Sequence, residues 1–324
     1  MTRWTGALII IATMALGQMH RELFVTTREQ HTPAVKCKKE TVSILIPIRS
    51  TNTRRHRRLT HLILSLEGWP REDQHVVMLA SKDSFPIAQR GNRYLREARP
   101  SYASVRVLVE PESLRMGTLV TQTRRHAAIL QRRRRERLAR TRNYLWATSE
   151  SYHRSDWTLW LDSDLLEVPP TLLVDLRQSN VDLVVPSCYY GDRIYDLNSW
   201  QATRALLDEV SRLRAIGAID DKTILLMGYK EPFHSALFKS VGIASTKSRP
   251  LFLDDLARRS NSSLVPLHGV GATCILVRSR LYHRGLKFPY RAVNHAIESE
   301  GLAQLALRMG VQPYGRTDVR IEHA

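Results

Sequence analysis

Trp157-Thr-Leu-Trp-Leu-Asp162-Ser-Asp164-Leu-Leu-Glu167-Val-Pro-Pro170 is an apolar, strand-type run that stops abruptly at two carboxylates spaced i, i+2. Alternate residues of a strand share a face, so Asp162 and Asp164 are expected to project the same way from the strand's exit. Two hard oxygen donors on one edge suit a divalent cation such as Mg²⁺ or Mn²⁺, and such a cation in turn suits phosphate oxygens. An Asp-x-Asp triplet alone is common in solvated turns. Here Pro169-Pro170 opens an amphipathic segment (Leu172, Leu173, Leu176) directly after it. Strand, carboxylates, then helix is the arrangement in which α/β sheets place ligands at the carboxyl ends of their strands.

Working outward, the same alternation recurs on both sides. Upstream, Thr41–Ile48, His75–Ala80 and Ser104–Val109 are short, β-branched and apolar, and read as buried strands. Between them, Arg58–Leu66 and Ile87–Arg99 carry apolar residues at helical spacing, and a long helix is expected over Leu119–Ser151. Downstream follow a helix at 170–178, a strand at Val181–Pro186, a helix ending near Leu213, a turn into a strand at Gly269–Val277 and a helix over Asn294–Arg308. Residues 215–262 look irregular and form the expected acceptor side. Strands alternating with helices throughout predict one α/β domain over 41–324, with a mainly parallel open sheet and a Rossmann-like nucleotide-binding half.

Composition narrows the partners. With 43% hydrophobic and 25% charged residues in 324, the chain can bury a sizeable core. Its 49 Lys and Arg against 31 Asp and Glu give a net charge of +18, which calls for an anionic partner: nucleic acid, an anionic membrane surface or a phosphate-bearing substrate. No zinc-finger, RRM or helix-turn-helix pattern is present, so nucleic acid is set aside. Arginine dominates, in clusters at Arg54–Arg58, Arg124-Arg125 and Arg132–Arg135. Four consecutive arginines cover every face of a helix, so the last run is expected to be solvated. Cys37, Cys188 and Cys274 are too few for a zinc site or a disulfide framework, and the latter two read as buried small hydrophobes. Trp4–Met19 is apolar and uncharged, short for a bilayer and without a convincing cleavage site, so 1–22 is expected to be a signal-anchor, with a cleaved signal peptide or a buried N-terminal helix as the alternatives, and the polar residues 23–40 a stem. Asn261-Ser262-Ser263 is a glycosylation sequon, which fits a lumenal domain.

Several blocks, in order, resemble the fungal mannan-polymerase family of mannosyltransferases, the ANP/VAN/MNN group of glycosyltransferase family 62. They are Ile44–Arg49, Ala139–Leu145, Asp156–Asp164 with Pro169, Tyr195–Trp200, His268–Gly271, and Phe288-Pro289 with Ile297–Gly301. The resemblance spans about 41–324. It implies a GT-A-like fold, single-pass type II topology in the Golgi membrane with a lumenal catalytic domain, GDP-mannose as donor, Mn²⁺ (or Mg²⁺) as cofactor, and an α-mannosyl product of α-1,6-mannan type made with retention. The chain departs from the family pattern at Leu161, where arginine is usual, and at Leu302, where phenylalanine is usual.

Sugar transfer from a nucleotide-sugar donor to a glycan acceptor requires the leaving diphosphate to be stabilised, which a Lewis acid does. Asp164 is the expected metal ligand, and Asp162 contacts the ion or the ribose. In folds of the implied type a histidine near the C-terminus commonly completes the set, and His323 fits by position. Arg140 and Arg142 lie on different helix faces, so one of them is expected at the phosphates. By fold analogy Arg49 and Ser50 receive the base and ribose, and Asp83 accepts from a guanine amino group. Glu298 and Glu300 are candidates for orienting acceptor hydroxyls or stabilising an oxocarbenium-like state, and Gly269 and Gly271 for close backbone approach to the donor. The rival reading is a catalytically silent scaffold subunit of a mannosyltransferase complex; on either reading other subunits are expected partners.

Overall fold

The computed structural model describes residues 39–114, 128–225 and 249–324. The signal-anchor expected at 1–22, nearly all of the stem, Cys37 and Arg124-Arg125 lie outside the described residues. Among the described residues no helix is long and apolar enough to cross a membrane.

Glu40–Ala324 forms one compact unit. Its first half is the sequence-predicted alternation: β1 (Val42–Ile48), α1 (Thr53–Ser65), β2 (Gln74–Ala80), α2 (Phe85–Glu97), β3 (Ser104–Val109), α3 (Ala128–Tyr152) and β4 (Trp157–Leu161). Then come β5 (Leu165–Glu167), α4 (Leu172–Gln178), β6 (Leu183–Tyr190), β7 (Arg193–Ile194), β8 (Trp200–Gln201) and α5 (Arg204–Ala215). The chain closes with β9 (Leu251–Phe252), α6 (Leu253–Arg259), β10 (Leu264–Pro266), β11 (Cys274–Arg278), α7 (Arg280–His283), α8 (Glu298–Arg308) and β12 (Tyr314–His323).

Strand order in the main sheet is β10-β12-β6-β11-β4-β1-β2-β3. The β3-β2-β1-β4 half is wholly parallel, β12 pairs parallel with β6, and β10 and β11 are reversed. The domain is therefore α/β and GT-A-like, with a mixed, mostly parallel sheet. Period-2 alternation sorts the core into two layers. Val42, Ile44 and Ile46 of β1 meet Leu59 and Ile63 of α1, Ala88 and Leu95 of α2, and Leu172, Leu173 and Leu176 of α4. Leu45, Val77, Leu79 and Trp160 face the other way, onto Ala139 and Leu145 of α3 and Leu302, Ala303 and Ala306 of α8. Both outer layers of helices thus follow from which side of each strand is apolar.

Differences from the sequence reading have local causes. Helix α1 begins at Thr53, not Arg58, because the Asn52 side chain accepts from the backbone N–H of Arg54 and of Arg55. Helix α8 begins at Glu298, not Asn294, because Asn294 and His295 have φ of 48° and 64°, which a right-handed helix excludes. The stretch 215–262 is less irregular than expected, since it contains α6. The C-terminal residues are a ten-residue strand whose Val319, Ile321 and His323 are buried between exposed or half-buried Arg320 and Glu322. Cys188 and Cys274 are buried free thiols, as read from sequence.

At the other end of the strands Glu40 ties three elements together. Its carboxylate accepts from Arg177 Nε at 2.7 Å, Arg278 Nη1 at 2.8 Å and Trp157 Nε1 at 3.1 Å. Burial opposes its ionisation, but the two guanidiniums and the indole N–H outweigh that and hold the carboxyl down at about 2, against an ordinary 4.5. A depressed carboxyl contributes stability above its unfolded pKa and loses it as pH falls through the folded one. Glu40→Gln is expected to lower unfolding stability at pH 7 by about 1–2 kcal/mol, softened by solvent screening. In denaturant titrations the gap between wild type and variant should narrow as pH drops from 4.5 toward 2; a gap independent of pH would contradict the ionic clamp.

Candidate active site

Strand β4 ends at Leu161, and the backbone turns at once: Asp162 N–H donates to Thr273 O at 2.9 Å, and residues 162–164 form a turn rather than more strand. Asp164 is reached from the far end of the sheet. Ala324 N–H donates to its carbonyl at 2.9 Å, and His323 Nε2 lies 3.2 Å from Asp164 Oδ1. His323 Nδ1 lies 2.8 Å from Ala324 O, and its ring stacks on Tyr195 with centroids 3.7 Å apart, so the imidazole orientation is fixed from both sides. The structure thus brings Asp162, Asp164 and His323 to one place, because β12 ends beside the loop that follows β4.

Helix α3 supplies the positive charge. Arg142, 4% exposed, places Nη2 3.1 Å from Asp162 Oδ1 and Nη1 on Glu298 Oε1. Burial pushes the Asp162 carboxyl up to about 6; Arg142 pulls against this, and the negative Asp164 adds to it. Burial also opposes ionisation of Asp164, but the hydrogen bond and charge of His323, helped by Arg55, bring it below its ordinary range. His323 is shifted in the opposite sense: burial disfavours its charge, and Asp164 more than restores it.

Arg140 and Arg142 do diverge as the spacing required. Arg140 is exposed and lies over the Tyr290 ring at 4.1 Å from its centroid, so Arg142 is the one beside the carboxylates. Arg49, at the exit of β1, donates to Thr141 Oγ1 at 3.0 Å and pairs with Glu110 at 3.4 Å, and Arg137 reaches the same carboxylate at 3.2 Å. Burial and the nearby Arg137 lower Arg49 to about 10. Ser50 is half-buried next to it, with its Oγ accepting from Asn52 N–H at 3.1 Å, and Asp83 is exposed in the loop after β2. Arg49, Ser50 and Asp83 all follow the parallel strands' carboxyl ends, on the same edge as Asp162.

Three expectations need correction. Arg135 is not part of a solvated run. It is 3% exposed, donates Nη1 to Glu300 Oε2 at 2.6 Å and Nη2 to Asn198 Oδ1. The overlooked signal was periodic: Gln131, Arg135, Ala139, Arg142, Leu145 and Ser149 form the buried stripe of α3, and of the four consecutive arginines Arg132, Arg133 and Arg134 face solvent. Glu300 does not present an oxygen to substrate: it is 0% exposed, with Oε2 on Arg135 and Oε1 accepting from Trp200 Nε1 at 2.8 Å. The space beside the two glycines is taken by the chain itself. A Cβ on Gly271 would lie 1.4 Å from Asp196 Oδ2, and one on Gly269 2.4 Å from Trp200 Nε1. Asp196, buried and raised by burial, accepts from Thr273 Oγ1 at 3.1 Å and Asn198 N–H at 3.1 Å; it is the organiser of this loop that the sequence reading missed.

Among the described residues no three His, Cys, Asp or Glu side chains are grouped as ready metal ligands. Asp162 is held by Arg142 instead. The donor chemistry nevertheless fits a hard dication. Two ligands placed cis on an octahedral ion at ~2.1 Å stand about 3 Å apart. Asp164 Oδ1 and His323 Nε2 are separated by 3.2 Å. Each carboxylate already has a partner, Arg142 for Asp162 and His323 for Asp164.

The Anp1 family model matches residues 22–292. The mannan polymerase complex subunit mnn9 of Schizosaccharomyces pombe is 34% identical over 219 residues, covering 66% of this chain and 58% of that protein. The corresponding MNN9 subunit of Candida albicans is 28% identical over 239 residues, 70% of this chain and 59% of that protein. The chain therefore spans less than two thirds of these relatives' length. Among solved structures, a mannosyltransferase from Pyrobaculum calidifontis in complex with GDP-Man and Mn²⁺ aligns over 89% of this chain and 58% of that one, at 14% identity and a TM-score of 0.47. From the geometry alone, Arg135→Leu is expected to cost about 3–5 kcal/mol of unfolding free energy, because Glu300 is left charged and buried. Arg133→Leu, on the solvated side of α3, should stay within about 0.5 kcal/mol. Equal effects in denaturant melts would refute the buried pair.

Proposed function

The chain belongs to the Anp1 family, and from that premise we propose that it is a metal-dependent mannosyltransferase that moves mannose from GDP-mannose to a glycan acceptor. The observation that carries the reading is the convergence of Asp162, Asp164 and His323 with the guanidiniums of Arg142 and Arg49 at the carboxyl ends of the parallel half-sheet. The relatives' naming as mannan polymerase subunits supports a mannosyl product; the α-1,6 linkage and transfer with retention are what the family resemblance adds to this reading. It also supports assembly with other subunits; residence in the Golgi membrane with a lumenal catalytic domain rests on the family resemblance alone.

In this reading Asp164 and His323 hold Mn²⁺ (or Mg²⁺), with Asp162 beside them on the ion or the ribose. The bound ion supplies Lewis-acid stabilisation of charge on the departing diphosphate. Arg142 adds a second positive charge there. Its Nη2 sits 3.1 Å from Asp162, so a phosphate arriving at that point exchanges one anionic partner for another without moving the guanidinium. Arg49 and Arg137 share the single carboxylate of Glu110, a cationic excess suited to a second phosphate. Ser50 lines the ribose side, and Asp83, exposed at the rim, accepts from the guanine amino group. Glu298 acts by positioning: Arg142 holds Oε1 and Ser299 Oγ donates to Oε2 at 3.0 Å, so it orients the guanidinium from behind.

The relatives' description as complex subunits also favours a second reading, in which the chain contributes a binding surface to a partner's catalysis. One experiment separates the two. With purified full chain and Mn²⁺, calorimetry should detect GDP-mannose binding that EDTA abolishes, and labelled donor should be consumed. Asp164→Ala should reduce turnover by about 10²–10³-fold, the scale of losing one preorganised charge-stabilising group. Arg133→Ala should leave turnover unchanged. Absence of GDP-mannose binding in the wild type would reject the enzyme reading in favour of the scaffold.

A further inference from the structure

The excess charge of the chain is unevenly spread. Helix α1 carries Arg54, Arg55, Arg57 and Arg58 within its first two turns and no acidic residue in the first. Helix α2 carries Arg90, Arg93 and Arg96, with Glu97 as its final residue. All seven arginines are exposed and none is within salt-bridge distance of a carboxylate among the described residues, although Arg55 lends its charge to Asp164 from a distance. Some other surface arginines are paired, Arg132 with Glu136, Arg204 with Asp208, Arg212 with Glu209 and Arg316 with Asp318. Exposed arginines without an ion pair also occur elsewhere, among them Arg133, Arg193, Arg259 and Arg284, but these two adjoining helices gather seven.

The seven share a single surface. Both helices bury their inner sides in the same apolar layer against β1 and β2. They touch where Gly91 of α2 meets α1, close enough that a Cβ there would lie 2.9 Å from Thr60 Oγ1. Their outward arginines accordingly form one basic sheet-like face, about 20 Å along each 13-residue helix. Arg54, Arg57 and Arg58, and Arg55 with Arg58, stand at the i, i+3 and i, i+4 spacings where like charges repel. They also crowd the positive end of the α1 dipole. The isolated fold gains nothing from this arrangement, and an external anion relieves it.

We propose that the outward face of α1 and α2 is a docking surface for an anionic lipid bilayer. Charge complementarity selects the occupant. Guanidiniums spread over two adjoining helices match an extended layer of phosphate headgroups rather than one small anion. A protein interface concentrates apolar groups at its centre and depletes charge there. Here the centre is arginine, with Tyr94, 65% exposed, as the large side chain that the face offers to solvent. An amphipathic aromatic among cations is the pattern of a helix lying at a membrane–water interface. This inference stands independently of the proposed transferase activity.

The test is flotation of the full chain with phosphatidylcholine vesicles, with and without phosphatidylserine, at rising ionic strength. Because any apolar anchor would bind both kinds of vesicle, the readout is the ratio of affinities. The wild type should prefer anionic vesicles, and the preference should fade with salt. The quadruple variant Arg57→Gln, Arg58→Gln, Arg93→Gln, Arg96→Gln should lower that ratio by about 100-fold or more. Its melting temperature should be unchanged or raised, since no internal ion pair is removed. A wild type without preference for anionic vesicles, or a folded variant that keeps the preference, overturns the proposal. So does a variant that keeps its vesicle binding but loses an acidic protein partner.

Discussion

Two buried ion pairs between α3 and α8 hold this molecule in its working shape. Arg135 and Arg142 lie two helical turns apart on one stripe of α3, and they meet Glu300 and Glu298 in the first turn of α8. Burying such pairs is costly, and their net contribution to stability is small or negative compared with apolar packing. What they supply is position. Glu298 enters α8 with φ of 57°, a backbone state that a non-glycine residue adopts only when its surroundings impose it. Glu298 N–H donates to Pro289 O at 2.9 Å and its side chain pairs with Arg142, which through its other nitrogen reaches Asp162 at the end of β4. The helix layer and the strand-end carboxylates are thereby one electrostatic unit.

The sequence blocks that resemble the mannan-polymerase family are the parts of this junction. Asn143, next to Arg142, bonds both the N–H and the carbonyl of Phe288, at 2.9 and 2.8 Å. Pro289 packs so closely on Gly301 that a Cβ there would lie 2.4 Å from its ring. Asn198 and Trp200 complete the shell of Arg135 and Glu300, Ser199 Oγ accepts from Gly271 N–H at 2.9 Å, and Asp196 fills the space that Gly271 leaves. Blocks far apart in the chain are thus mutual contacts.

The fold was legible where one periodicity dominated. Strands β1, β2 and β4 are short, nearly continuous apolar runs buried on both faces, and the helices between the strands carry one apolar face, so the parallel half could be read directly. The strand-end carboxylates were legible for the same reason. Strand β12 was not, because its buried positions Val319, Ile321 and His323 alternate with arginine and glutamate, a weak signal in a chain this basic. Arg135 was hidden inside a run whose composition says surface, while Arg142, two turns further along the same stripe, stood in a mixed stretch and could be placed. Glu300 and the two glycines were misread in the same way. A carboxylate and two glycines in a motif suggest substrate contact, yet the chain's own Arg135, Asp196 and Trp200 satisfy them. Which partner satisfies a polar group is a tertiary fact that spacing does not carry.

The two departures from the family pattern follow from the same geometry. Leu161 is 3% exposed and belongs to the apolar layer with Leu165, Val319 and Ile321, on the face of β4 opposite Trp160. Leu302 is fully buried against the α3 side of the sheet. Neither side chain lines the carboxylate pair, so leucine at either place alters packing beneath the site rather than the oxygens at its mouth. The consequence is electrostatic. Without a guanidinium on the residue before Asp162, the charge opposing the two carboxylates comes from α3 through Arg142, from β12 through His323 and from α1 through Arg55. Those three elements belong to both helix layers and the far half of the sheet. The site's charge balance therefore exists only while all of them remain docked, and the stability of the fold and the competence of the site rest on the same contacts.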